Sequence, residues 1–484
     1  MKNSKIVEKT GLYFIGNFSS KFLSAILVPI YAFYITSEDL GTYDYSQTIM
    51  NIIIPIVFVS IWEAIIRFIL GEKDKTDQNK KLATSAFFSL TMCLIFIIIT
   101  LLVSRFVEIQ YLYYFIVMCC FTAVAQIWQY YARALEKNKL YVITSIISTI
   151  VNLSLNLLLI LVLHLKIESL YISYIMSNVI TFFILEYKMK IIRLIKPKNI
   201  SKDLLKKMLW YSAPLVVNSI AVWIINGLGK VIIFENLGAS SNGIYTFANK
   251  FVTIVTTIGS IVTMAILEEA MISLSDNDFK DSYPKLLQQV FRIFLSLIIV
   301  VIPAIAIFYE FIDTTEYYES LYILPFLMIY SVLTTMSTNF GVIFKTVNKN
   351  KYQVITTIIS SIFMLLISYI LLDAWGIYAV AIGQMVSALI MVLSRYWLSR
   401  RFMEYKLNWW PIIALILGYG IVSIGSIFAN IIFKCIILLF TIVIICYINK
   451  DFLSEFIKIG KGYIQKIKIK EVQNELPTKK NEKQ

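Results

Sequence analysis

Apolar residues in this chain run in blocks of about twenty or more, broken by short polar stretches. They do not alternate at the period of a strand or mark one stripe of a surface helix. Crossing the hydrocarbon core of a bilayer takes about 20 mostly apolar residues as helix. Fourteen blocks have that character: 11–35, 43–70, 82–103, 111–132, 140–163, 168–187, 208–234, 243–272, 286–309, 320–344, 352–372, 376–396, 409–429 and 431–449. The pattern predicts an all-α integral membrane protein with about 14 transmembrane helices. Aromatic residues gather at several block ends (Trp128, Tyr130 and Tyr131; Trp409 and Trp410), where an interfacial belt would place them. The basic start is not followed by a small-residue cleavage motif, so the first block reads as a retained span.

The polar stretches carry a sign. All but six of the 44 basic residues fall at the N-terminus, in even-numbered loops or in the C-terminal tail. The exceptions are Arg105, Lys166 and Lys434 beside odd-numbered loops, and Lys21, Lys230 and Lys250 within spans. Odd-numbered loops are acidic or neutral, such as TSEDLGTYD from Thr36 and EFIDTTEYYES from Glu310. Basic loops face the cytoplasm, so both termini are expected there. The net charge of +14 then belongs to segments facing anionic lipid, and a nucleic-acid partner is not expected. Composition agrees: 58% of residues are hydrophobic, 15% are charged, and the mean hydropathy is +0.76.

The chain also repeats itself. KNKLYVITSIIS from Lys137 and KNKYQVITTIIS from Lys349 agree at nine of twelve positions, 212 residues apart. Both open an odd-numbered span, the fifth and the eleventh, so the two halves run in the same sense through the membrane. Gly41-Thr42-Tyr43-Asp44-Tyr45 is echoed by Gly243-Ile244-Tyr245-Thr246-Phe247, and Glu63-Ala64 by Glu269-Ala270. The organisation expected is a six-helix bundle (1–187), a basic cytoplasmic linker (188–207) and a second six-helix bundle (208–396). Two further helices (409–449) and a basic cytoplasmic tail (450–484) follow. Parallel halves related by an axis along the membrane normal are a transporter architecture, with a cleft that rocking exposes to each side in turn. Two halves already enclose a pathway, so a monomer is the expected unit.

Enzyme chemistry finds little support. The single histidine, His164, cannot alone build a metal site or a catalytic triad, and the five cysteines lie in apolar spans without CxxC spacing. Asn226-Gly227-Leu228-Gly229-Lys230 lacks the order of a phosphate loop. No catalytic residue, metal or cofactor is expected. Charges at membrane depth are costly and usually face a wet cavity or a partner. Lys21 near mid-depth in span one, with Lys230 and Lys250 in the outer parts of spans seven and eight, are the substrate-cavity candidates; snorkelling to an interface is their alternative. Glu63 and Arg67, one helical turn apart on span two, are placed to pair. With Arg133, Glu268 and Glu269 they form the gating or ion-pair candidates. Pro29, Pro214, Gly227 and Gly229 are the hinge candidates, or else positions of close helix packing. Three cavity lysines, with no mid-span carboxylate in spans one or seven, favour an anionic substrate. A diphosphate suits ammonium groups acting as point charges.

The stretches GLYFIGNFSSKFLSAILVPIYAFYI with LGTYDYSQ, then ENLGASSNGIYTFANK, then WGIYAVAIGQMVSALI, resemble bacterial polysaccharide (O-antigen or capsule) repeat-unit flippases. Those belong to the MATE-like (MOP) transporter superfamily, with multidrug exporters and peptidoglycan lipid II flippases. The resemblance covers most of residues 5–400. It implies alternating-access movement of an undecaprenyl-diphosphate-linked oligosaccharide from the cytoplasmic to the outer leaflet of the bacterial cytoplasmic membrane. It also implies the bilayer and other polysaccharide assembly proteins as partners, and a cationic cavity that Lys21, Lys230 and Lys250 could supply. Arg133 resembles the basic residue such proteins often place at the end of span four. Coupling to a proton or sodium gradient, or to membrane potential alone, stays open. A MATE-type cation or drug antiporter is one alternative, although those relatives often carry an acidic residue in span one, where this chain has only Lys21 as a charge. A membrane polysaccharide polymerase or ligase is a second, disfavoured because such enzymes carry a large outside loop.

Overall fold

The computed structural model describes residues 26–273, 277–347, 349, 351–403 and 407–450. Fourteen α-helices are found among them, and the other regular elements are short 3-10 turns. In chain order the helices are α1 (Leu27–Tyr34), α2 (Ser37–Val57), α3 (Ile61–Ile69), α4 (Lys75–Val103), α5 (Leu112–Ala134), α6 (Asn138–Leu161) and α7 (Ile167–Met189). Then come α8 (Lys202–Ser273), α9 (Asn277–Glu310), α10 (Leu324–Thr346), α11 (Lys351–Trp375), α12 (Ile377–Ser399), α13 (Trp409–Phe428) and α14 (Ile431–Ile448). Eleven are long and apolar enough to cross a membrane, or twelve when α2 and α3 count as one bent span. The long α8 comprises two arms, 202–237 and 239–273, which meet at Gly238 with φ 87° and ψ 172°. Only glycine adopts that conformation cheaply. Of the first expected span, 11–35, only residues 26–35 are described.

The described residues divide into two units. One lies within Met1–Leu287 and Phe311–Leu407, the other within Gln288–Glu310 and Asn408–Gln484. Both halves of the repeat contribute to the larger unit. There α7 packs on α5 and α6, and α12 packs in the same way on α10 and α11. The twelve-residue repeat performs the same local task twice. The Lys137 N–H closes the end of α5 on the Ala132 carbonyl at 2.8 Å, and the Lys349 N–H closes α10 on the Phe344 carbonyl at 2.8 Å. Two turns on, Thr144 returns its hydroxyl to the carbonyls of Leu140 and Tyr141, and Thr356 does so to Tyr352 and Gln353.

Span two departs from expectation at both ends. It was expected over 43–70 as one helix, with TSEDLGTYD as an outside loop. Instead, α2 begins at Ser37 because Thr36 caps it, accepting a hydrogen bond from the Asp39 N–H, and Glu38 and Asp39 sit in its first turn. It then breaks after Pro55: Val59 and Ser60 have φ of 50° and 46°, and α3 leaves at 52° to α2. Left-handed backbone at a β-branched residue costs on the order of 1–3 kcal/mol and persists only where the surroundings hold it. Ser60 is fully buried.

Three basic residues counted as loop charges are embedded in helices. Arg395, expected near the end of span twelve, lies four residues before α12 ends and is 4% exposed. Its Nε donates to Thr356 Oγ1 (3.1 Å), Nη1 to the Ser337 carbonyl (3.0 Å) and Nη2 to Thr357 Oγ1 (2.9 Å), so it ties α12 to α10 and α11. Lys81 is buried on α4, paired with Glu72 at 2.5 Å and Asp77 at 2.6 Å. In the smaller unit Lys434 belongs to α14 and not to the turn before it; it is buried and paired with Glu310.

The two halves meet where α2 runs along α8, at a symmetric pair of glycines. A Cβ on Gly41 would stand 1.8 Å from the Ala239 carbonyl oxygen, and one on Gly243 would stand 1.8 Å from that of Ser37. Both pairs are related by the same 202-residue offset, so each half presents the same glycine to the same backbone atom of the other. Gly41→Val is expected to cost this state about 1–3 kcal/mol, as overpacking does. A lowered melting temperature of the purified protein checks this, and an unchanged one contradicts it. Arg395→Ala is expected to cost about 1–3 kcal/mol by stripping three acceptors of their donor, read as a fall in melting temperature and folded yield.

Candidate functional site

Below the Gly41/Gly243 contact lies a cavity of about 820 Å³ in the larger unit. Its walls come from α1, α2, α6 and α7 of the first half and from both arms of α8 in the second. The two sides differ in chemistry. On the first half's side, Ser148, Thr149, Asn152 and Asn156 of α6 and Ser177 of α7 present amides and hydroxyls without charge. Asn156 is held there by donating to Ser173 Oγ (2.5 Å) and to the Asn152 carbonyl (3.2 Å), while accepting from Tyr31 Oη at 3.4 Å. On the other side stand Lys230 and Lys250, on opposite arms of α8. Among the described residues, three charged ones line the cavity: Asp44, Lys230 and Lys250.

Lys230 donates to Asp44 Oδ1 at 2.8 Å, a bond that joins α8 to α2 and so one half to the other. Asp44 is 7% exposed, and its second oxygen, Oδ2, has no hydrogen-bond partner among the described residues. Lys250 Nζ lies over the Tyr31 ring, 5.6 Å from its centroid. Trp223 forms part of the floor, its Nε1 donating to the Thr48 carbonyl at 2.7 Å. Gly227 makes room for that indole: a Cβ there would lie 2.7 Å from Trp223 Nε1.

The end of the cavity at the glycine pair is sealed by polar contacts. Ser37 Oγ and Ser240 Oγ are 2.6 Å apart, and Asn242 Nδ2 donates to the Gly41 carbonyl at 2.8 Å. Glu316, on the turn before α10, accepts from the Ser37 hydroxyl and from its N–H at 3.0 Å. Those bonds hold its carboxyl below the usual carboxylate range. Tyr317 donates to the carbonyls of Ile35 and Thr36 and stacks on Phe247 at 4.4 Å.

Of the residues singled out in the sequence, the structure brings Lys230, Lys250 and Gly227 together at the cavity wall. Lys21 and the side chains of Glu268 and Glu269 lie outside the described residues. Glu63 and Arg67 do not form the expected pair: the described ion pairs join Lys81 to Glu72 and Asp77, Lys230 to Asp44, and Lys434 to Glu310. After the bend at Ser60, Glu63 is half-buried beside Tyr130, whereas Arg67 is exposed. Arg133 ends α5 between the rings of Tyr130 (5.1 Å) and Tyr141 (5.7 Å), away from the cavity lining. The backbone stays helical at Pro214, Gly227 and Gly229, and Pro29 occupies the first turn of α1. Gly229 permits packing against Val380 and Met364, where a Cβ would come within 2.7 Å and 2.8 Å. The turn between the arms of α8 is at Gly238, which was not a hinge candidate.

Sequence reasoning missed Asp44. It stood inside the Gly41–Tyr45 echo and looked like an outside-loop acid, while the second half has Thr246 at the equivalent place. A carboxylate that one copy of a repeat carries and the other lacks was the available signal. Among the described residues no group of three or more His, Cys, Asp or Glu is placed to hold a metal ion.

Comparison with known proteins bears on the fold as a whole. The lipid II flippase MurJ, in an inward closed conformation, superposes with a TM-score of 0.70 at 14% identity, over 91% of this chain and 99% of that one. An inward-facing multidrug resistance MATE family transporter of the MOP superfamily gives 0.56 at 16% identity, over 82% and 96%. A variant of a MATE transporter from Vibrio cholerae gives 0.55 at 13% identity, over 82% and 97%. At such identities the likeness is one of fold: this chain is a multi-pass membrane protein built like the MOP-superfamily transporters. No curated protein sequence matches it. The sequence profile of one family matches residues 6–267, more than half of the chain. Fold and profile agree, and the chain belongs to the polysaccharide biosynthesis protein family.

Proposed function

We propose that the protein is a flippase that moves undecaprenyl-diphosphate-linked oligosaccharide repeat units from the cytoplasmic to the outer leaflet of the bacterial cytoplasmic membrane. The units supply surface polysaccharide such as O-antigen or capsule. The observation that carries the reading is the two-sided cavity. Lys230 and Lys250 offer point charges to a phosphate, and the facing wall of uncharged amides and hydroxyls suits the hydroxyls of sugars. Its volume sits in the upper part of the range for specific small-molecule sites, about 300–1,000 Å³. The family and the fold support a role in moving a polysaccharide precursor.

Basic loops at the opposite end from the glycine pair orient both termini to the cytoplasm. The sealed end is then the outer one, and this state is closed to the outside. Rocking of the halves about the cavity opens that seal. The protein works as a monomer in the bilayer, alongside other polysaccharide assembly proteins, with a proton or sodium gradient or the membrane potential as its driving force.

A cation exporter is disfavoured by the balance of charge. Among the described lining residues there are two lysines and one aspartate, and that aspartate is paired with Lys230.

Removal of the gene is expected to leave complete lipid-linked repeat units on the cytoplasmic leaflet while surface polysaccharide falls. Lys230→Ala or Lys250→Ala, returned at matched protein level, is expected to restore about a tenth or less of the polysaccharide, as the loss of one charge-assisted contact of 1.4 kcal/mol or more would. Units that still reach the outer leaflet in the deletion strain contradict the reading.

A further inference from the structure

A cavity built to take an anion has no evident use for a buried carboxylate, yet Asp44 lines it. The fold does not require that group. Its equivalent in the second half is Thr246, which lines the same cavity on the same helix face of the repeat. Asp44 has one oxygen on Lys230 and the other without a partner among the described residues. Around it stand Lys230 and the phenols of Tyr43 on its own helix and Tyr245 on α8. Lys250 lines the same cavity from the second arm of α8.

The charge requirement on Lys230 changes over a transport cycle. An ammonium group left without an anion in a low-dielectric cavity is costly, and so is a carboxylate left without a cation. With the cavity empty, Lys230 needs a counter-charge. With a phosphate present, the same lysine must be given up to it. A carboxylate supplied by the opposite half meets the first need and can be displaced to meet the second. Asp44 and Lys230 are 186 residues apart in the chain, so their bond also ties the halves together only while no substrate replaces it.

We propose that Asp44 is an internal stand-in for the substrate's diphosphate: it neutralises Lys230 in the empty cavity and is displaced from it when the anionic headgroup binds. This rests on the reading of the cavity as a diphosphate-lipid site. It makes Asp44 a competitor of the substrate. It also lets the empty carrier return with its charges paired, so that Asp44 aids turnover while opposing binding.

Equilibrium binding of farnesyl diphosphate to the purified full-length protein in detergent tests this. Asp44→Asn is expected to bind the probe about tenfold more tightly than the parent, and Lys230→Met about tenfold or more weakly. On the Lys230→Met background the Asp44→Asn change is expected to have no effect, because there is no lysine left to release. Monodisperse elution and a cooperative melt qualify each variant. If Asn is too disruptive at this site, Asp44→Thr, which copies the equivalent residue of the other half, serves in its place. Weaker or unchanged binding by the Asp44 variants overturns the proposal while leaving the diphosphate site standing. Tightening that persists without Lys230 overturns it too, since a general charge effect would then suffice. A parent protein that does not bind the probe removes the diphosphate reading itself, and the proposal with it.

Discussion

The carbonyl oxygens of Ser37 and Ala239 occupy the space in which side chains on Gly243 and Gly41 would begin. That reciprocal backbone contact brings α2 against α8 and sets the distance between the two halves at one end of the cavity. Much else depends on it. Ser37 reaches Ser240 and Glu316, Asn242 reaches the Gly41 carbonyl, and Tyr317 reaches across to Thr36 because the helices are this close. In a membrane, where apolar burial does little to drive helices together, close packing of small residues and interhelical hydrogen bonds are what remain to do so.

The second constraint is electrostatic. Away from bulk water, charges must be paired or hydrogen-bonded, and the described structure meets that demand in two ways. Arg395 is satisfied permanently by three acceptors on α10 and α11, and Lys434 by Glu310 within the smaller unit. Lys230 is satisfied by a residue from the other half, inside a cavity, with an oxygen left over. The first kind of arrangement stabilises one structure. On the proposed reading, the second distinguishes a full cavity from an empty one.

Much of this was legible in the sequence. Block length and basic-loop placement yielded an all-α membrane protein, and the 212-residue repeat marked the starts of α6 and α11, where the same hydrogen bonds recur. The Gly41 and Gly243 echo pointed at the contact between halves without revealing that the two glycines face each other, because partner choice is a tertiary property. Composition misled where helix ends were concerned. Thr36-Ser37-Glu38-Asp39 reads as a polar loop, yet a threonine cap and first-turn acids are what begin a helix. Arg395 looked like a loop charge because a hydropathy window does not register the hydroxyls of Thr356 and Thr357 on another helix. Lys230 was read as an open cation because its partner lies 186 residues away.

The central claim is that the halves part at the glycine pair to release what the cavity holds. A disulfide across that contact tests it most directly, with Ser37→Cys and Ser240→Cys introduced into a chain whose five native cysteines are replaced by serine. The two hydroxyl oxygens stand 2.6 Å apart, so the cysteines are in reach of each other in this state. The account predicts that oxidation yields the cross-link and stops delivery of lipid-linked repeat units to the outer leaflet of proteoliposomes, and that reduction restores it. Cross-linked protein that delivers them at the rate of the reduced form would contradict it.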